Sequence, residues 1–85
     1  MQVYPNPVLE GENINLSFKT SYLGKAEVMV FNNSGQRRKI ESIQVRSGLN
    51  LISIDIKNLL KGTYYIKLVS SDGKQIGSGK QFIKN

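Results

Sequence analysis

The sequence predicts an all-β domain, an Ig-like β-sandwich of about seven mainly antiparallel strands. Three observations predict it. Apolar and polar residues alternate in short runs. Turn signals carrying glycine separate these runs at intervals of about ten residues. No segment holds a 3.6-residue period over three turns; residues 57–61 make one helical turn at most.

The elements follow in order. A short extended start at Val3-Tyr4 enters Tyr4-Pro5-Asn6-Pro7. Its prolines fix two φ angles, remove two backbone donors and hold their predecessors extended. From its residues alone this segment is an edge-strand lead-in. Ile14, Leu16 and Phe18 then alternate with Asn15, Ser17 and Lys19. Ala26, Val28 and Val30 share one face of the next run, with Met29 and Phe31 on the other. Ile40, Ile43 and Val45 are less regular, which places a bulge or break near Glu41-Ser42. Ile52, Ile54 and Ile56 alternate with Ser53, Asp55 and Lys57, and Tyr64, Ile66 and Leu68 with Tyr65, Lys67 and Val69. Asp72-Gly73 is the strongest hairpin signal and favours a type I′ turn. The last segment, residues 74–84, carries Ile76, Phe82 and Ile83 around a bend at Gly77-Ser78-Gly79. The expected core is Ile14, Leu16, Phe18, Val28, Val30, Ile52, Ile54, Tyr64, Ile66, Leu68 and Phe82. The Cys pair and Trp of antibody domains are absent, so the likeness is one of architecture.

Length and composition narrow the function. Eighty-five residues make one domain, residues 1–85, with a thin core. Met1 stands almost at the proline motif and reads as a start residue added to a fragment. There is no Cys and no His. That removes disulfides, tetrahedral zinc of the usual kind, and nucleophile devices that need an imidazole base. Six carboxylates, lysines and tyrosines remain, so an enzyme is not expected, nor is a cofactor. The longest apolar run is Val28-Met29-Val30-Phe31, far short of the roughly 20 residues of a spanning helix. The opening residues lack the basic and apolar regions of a signal peptide.

The net charge is +6, and the one basic cluster is Arg37-Arg38-Lys39. Such a cluster can contact phosphate, but no aromatic side chain interleaves with it, and a charge-protected edge strand is the simpler reading. Nucleic acid is therefore not an expected partner. Glu10 and Glu12 flank a glycine in a polar turn, which leaves them solvated and not paired for acid–base work. Asp55 and Asp72 are too few and too dispersed for an oxygen-only calcium loop, and no metal site is expected. Asn15-Leu16-Ser17 and Asn32-Asn33-Ser34 match the glycosylation pattern, the first inside a strand. Tyr64 is placed inward with its hydroxyl free to meet a backbone group, as in a tyrosine corner. An adhesion or carbohydrate-binding module is an alternative function; without Trp its aromatic platform would be Tyr22, Tyr65 and Tyr4.

The order of features resembles the type A C-terminal sorting domains of type IX secretion cargo proteins of Bacteroidetes. The likeness runs from Tyr4-Pro5-Asn6-Pro7 through Gly11, Ile14-Asn15-Leu16, residues 26–32, Gly35 and Gly48-Leu49-Asn50. It continues through Ile52-Ser53-Ile54, Leu59 and Lys61-Gly62-Thr63-Tyr64-Tyr65, and ends on Gln81-Phe82-Ile83-Lys84. It implies a non-catalytic label, covalently continuous with an upstream cargo domain. The cargo crosses the inner membrane by its own signal and is recognised in the periplasm by shuttle proteins and the outer-membrane translocon. In many members a cell-surface sortase then removes the domain and attaches the cargo to an anionic lipopolysaccharide; others are secreted. The recognition residues so implied are Pro5, Asn6, Pro7, Gly62, Tyr64, Lys80, Gln81, Phe82, Ile83 and Lys84. Gly62 and Tyr64 are expected to maintain the fold. The terminal strand is expected to be read through an exposed edge by strand addition. On that view Phe82→Ala weakens fold or docking, and Lys84→Ala docking alone. An exposed edge would also let the isolated domain pair with a second copy. Asn85 follows Lys84, a departure from a basic final residue.

Overall fold

A computed structural model describes all 85 residues. Seven strands form two antiparallel sheets: β1 (Gln2–Tyr4), β2 (Ile14–Thr20), β3 (Gly24–Asn32), β4 (Arg37–Val45), β5 (Gly48–Ile54), β6 (Gly62–Ser70) and β7 (Lys80–Lys84). The three-stranded sheet has the order β1-β2-β5 and the four-stranded sheet β4-β3-β6-β7. The chain crosses between sheets from β2 to β3, from β4 to β5 and from β5 to β6, as a sandwich requires.

The period-2 pattern places the core. On β2, Ile14, Leu16 and Phe18 point inward; on β6, Tyr64, Ile66 and Leu68 do. Ten of the eleven expected core residues are buried. Ile52 is only half-buried, because β5 is an edge strand. Val8, Ala26, Val45, Ile56 and Leu59 complete the core. Ile56 and Leu59 get there because β5 ends at Ile54 and residues 55–60 fold under the sandwich. The Asp55 carboxylate accepts the Lys57 N–H, and the Leu59 N–H bonds the Ile56 carbonyl.

Two local expectations need correction. There is no break near Glu41-Ser42: Lys39, Glu41, Ile43 and Val45 point inward in regular alternation, and Ile40 points out. The register shift lies between Val30 and Phe31, opposite Arg37–Lys39, where the strand recovers from its hairpin. Nor is Asp72-Gly73 a type I′ turn, which needs positive φ at both central residues. Only Gly73 is positive, at 88°. The hairpin has a three-residue loop, with the Gly73 N–H on the Ser70 carbonyl and the Ser70 N–H on the Lys74 carbonyl. That is a turn closed by a left-handed glycine. The β3–β4 hairpin repeats the design with Asn32, Gly35 (φ 82°) and Gln36.

Candidate recognition surface

The two ends of the chain meet. Asn6 and β7 are 75 to 77 residues apart in sequence, yet Asn6 Nδ2 donates to the Gln81 carbonyl (3.3 Å) and Asn6 Oδ1 accepts from the Ile83 N–H (3.0 Å). Val8 continues the contact: its N–H donates to the Ile83 carbonyl (2.7 Å) and its carbonyl accepts from the Asn85 N–H (2.9 Å). An asparagine side chain and one residue of parallel bridge thus act as an eighth strand. The prolines flank that asparagine, and both of their preceding peptide bonds are cis.

This arrangement overturns the free-edge argument for β7. Of the backbone groups of β7 that face away from β6, the Gln81 carbonyl and both groups of Ile83 already have partners in Asn6 and Val8. Strand addition there would first have to peel residues 6–8 away. What the seam does expose is side chains: Asn6, Pro7, Lys80, Gln81 and Ile83 stand in solvent, with Pro5 half-buried.

Lys84 is the second correction. It is 5% exposed, and its ammonium is capped by carbonyls alone: Ile56 O at 2.7 Å, Leu59 O at 2.6 Å and Lys57 O at 3.4 Å. The three donors of a lysine match three acceptors of the 55–60 turn. Lys84 therefore ties the terminal strand to the floor of the sandwich, and losing it acts on the fold. The signal was present in the sequence: Phe82 faces inward, so period 2 sends Lys84 the same way.

The other expected residues sort by burial. Phe82 is fully buried and stacks on Tyr64, with ring centroids 5.5 Å apart. The Tyr64 hydroxyl donates to the Leu60 carbonyl four residues upstream (2.5 Å), the geometry of a tyrosine corner. Gly62 is exposed, opens β6 opposite Lys84, and has φ 156°. So Tyr64, Phe82 and Lys84 form the inner layer behind the seam. Pro5, Asn6, Pro7, Lys80, Gln81 and Ile83 form its outer layer. Sequence reasoning missed Val8, whose single apolar side chain between Pro7 and Leu9 gave no strand signal, and the carbonyl cage of Lys84.

The competing candidates are scattered. Tyr4 lies on the outer face of the three-stranded sheet and Tyr65 on that of the four-stranded sheet. Tyr22 closes the β2–β3 crossover, donating to the Lys25 carbonyl (2.6 Å). These three rings share no face. Tyr65 leans over Gly79, where a Cβ would displace its hydroxyl and ring. Glu12 accepts the Leu9 N–H in an exposed turn. Arg38 and Lys39 line a polar cleft with Asn33, Asp55 and Lys61, at the end of the sandwich that also holds Gly62 and Tyr64.

The model of the secretion system C-terminal sorting domain matches residues 2–85. The chain belongs to that family. No curated protein matches the chain. The domain is a C-terminal sorting signal for type IX secretion, and the match spans both halves of the seam. A sorting signal of this kind is generally non-catalytic. Membership implies interaction with the type IX machinery and export across the outer membrane, to the surface or the medium. The seam of this sorting domain is built from the first and last segments of the match.

Proposed function

We propose that the type IX machinery reads this sorting domain at the seam between Pro5-Asn6-Pro7 and β7, through its outer side chains. The observation that carries this is the pair of hydrogen bonds from Asn6 to Gln81 and Ile83, which makes the two terminal motifs one surface. Recognition by side chains follows from the sealed backbone. Lys80, Gln81 and Ile83 offer a cation, an amide and an apolar contact within four residues, beside the rigid Pro7. Gly62, Tyr64, Phe82 and Lys84 hold the surface in shape from behind.

On this reading residues 1–85 act as one folded label that passes through the periplasm. Shuttle and translocon bind the seam, and a surface sortase separates label from cargo. When the domain is isolated, self-association has the open strands β4 and β5 available to it, not β7.

The test is an export assay. Residues 2–85 are fused behind a fluorescent protein bearing an inner-membrane signal peptide, in a bacterium with a type IX system. The comparison is a triple variant with Lys80→Ala, Gln81→Ala and Ile83→Ala, all exposed positions. The expected result is periplasmic retention of the variant with unfolding behaviour close to the parent. Undiminished surface or medium fluorescence from a folded variant would move recognition off the seam.

A further inference from the structure

The opposite side of the sandwich is open. β4 has β3 on one side and no strand on the other, and nine residues of it stand at the edge. Which backbone groups it offers follows from the ladder. On β7, residues 81, 83 and 85 face outward, as their bonds to Asn6 and Val8 show. Their alternates, Lys80, Phe82 and Lys84, therefore bond Ile66, Tyr64 and Gly62 of β6. The intervening residues of β6, Tyr65, Lys67 and Val69, bond β3 at Phe31, Met29 and Glu27. That leaves Val28 and Val30 of β3 to bond Glu41 and Lys39 of β4. The N–H and C=O groups of Ile40, Ser42 and Gln44 then point to the free side.

The side chains beside this edge have one dominant sign. Arg37, Arg38 and Lys39 open the strand, and Arg46 follows it. The strand's one acid, Glu41, already lies 4.0 Å from Lys39. Ile40, 42% exposed, adds an apolar contact next to the cations. The strand has no proline and is longer than the short edges proteins use to prevent pairing. A second copy is a poor occupant, since each domain carries +6.

We infer that the free edge of β4 is a strand-addition site for an extended acidic segment of a partner protein, its carboxylates facing Arg37 and Arg38 and an apolar side chain facing Ile40. This surface is distinct from the seam and does not depend on the seam being the sorting determinant.

The probe is a ten-residue peptide alternating Glu and Thr around a central Val, with a control in which Lys replaces each Glu. Binding is followed by amide NMR and hydrogen exchange on the 85-residue domain. The Glu peptide is expected to slow exchange of the Ile40, Ser42 and Gln44 amides at least tenfold, with no change at Ile83, and to weaken as salt rises. Ser42→Pro removes an outward N–H and leaves the β3 ladder intact, a substitution edge strands tolerate; it should weaken binding at least tenfold. Should that variant fail to fold, Arg37→Glu with Arg38→Glu tests the same site without touching the backbone. Three outcomes would each overturn the inference: equal binding of the Lys peptide, no protection at saturating Glu peptide, or a sedimentation profile showing that β4 pairs with a second copy.

Discussion

Each side of this sandwich is organised by one asparagine, and the two are used differently. Asn6 turns its amide outward from its own segment onto β7, where it occupies Gln81 O and Ile83 N. Asn50, 4% exposed, turns its amide onto its own crossover: it accepts the Arg46 N–H and donates to the carbonyls of Arg46 and Gly48. The first pattern seals a sheet edge with chain that has no strand of its own to add. The second braces a two-residue crossover and leaves the edges of β4 and β5 free. The lesson is that hydrogen-bond satisfaction of a turn and closure of an edge are separate achievements. In this domain closure rests on the last five residues, because Asn6 and Val8 have nothing to dock on until β7 is in place.

The largest test of that dependence is Phe82→Ala. Phe82 is fully buried and stacked on Tyr64. Truncating such a ring costs about 3–5 kcal/mol, a large part of the stability of a small domain. Urea unfolding should show the midpoint fall sharply or the transition disappear. A loss below about 1 kcal/mol would mean that β7 is not a core strand. Lys84→Met comes next. It keeps the apolar stem and removes the ammonium from the carbonyls of Ile56 and Leu59. Buried acceptors left unpaired cost about 1–3 kcal/mol, so the same titration should register a clear destabilisation. An unchanged midpoint would return Lys84 to the role of an exposed docking residue.

These two residues also show how far the sequence could be read. The strand count, the inward faces of β2, β3 and β6, and the tyrosine corner were legible because period 2 and burial speak with one voice there. Lys84 was misread because residue type outweighed position: a lysine near a chain end looks exposed, although two residues after Phe82 it must face the core. Ile40 failed in the opposite direction. It is apolar and outward, and treating it as inward put the irregularity of β4 near Glu41-Ser42, whereas the register shifts at Arg38, opposite Val30 and Phe31. The recognition motifs could be picked out by their resemblance to sorting domains, but not joined. The Asn6–Ile83 bond spans 77 residues, and no local pattern encodes a contact of that range. The cation cluster was legible as an edge feature, while the freedom of that edge depends on strand order.

Asn6→Ala sharpens the comparison between the two sides. It deletes both side-chain bonds to β7 and leaves every strand ladder in place. Net values of about 1 kcal/mol per hydrogen bond, on an exposed residue, put the loss near 1–2 kcal/mol. The site of the loss says more than its size. Hydrogen exchange at the Ile83 amide should accelerate, while the Asn50-braced crossover at Arg46 keeps its protection. Equal acceleration at both places would mean that the two sides open together and that the seam is no separate unit.

The smallest effect separates the two hairpins, one on each side. Both are three-residue loops with a left-handed glycine, but they are held differently. The β3–β4 loop is braced by the neutral Asn32, whose Oδ1 accepts the N–H groups of Ser34 (3.0 Å) and Gln36 (2.9 Å). The β6–β7 side uses a carboxylate: Asp72 accepts from the Ser70 hydroxyl, whose oxygen in turn accepts the Lys74 N–H (3.2 Å). That bond to Ser70 outweighs the opposing cost of desolvation and, aided by the backbone and charge of Lys74, holds the Asp72 carboxyl below the usual carboxylate range. A group whose pKa is lowered by folding favours the folded state when ionised. Its contribution is complete above the ordinary value of 3.8 and is lost as pH falls through the lowered folded value. Acid titration should therefore speed exchange at the Lys74 amide relative to the intrinsic rate, with no matching change at Gln36. Asp72→Asn should abolish that difference, since no other carboxylate bonds to either loop. If the Gln36 amide tracked Lys74 through the acid range, the loosening would be global and the hairpins would carry no separate response to protons.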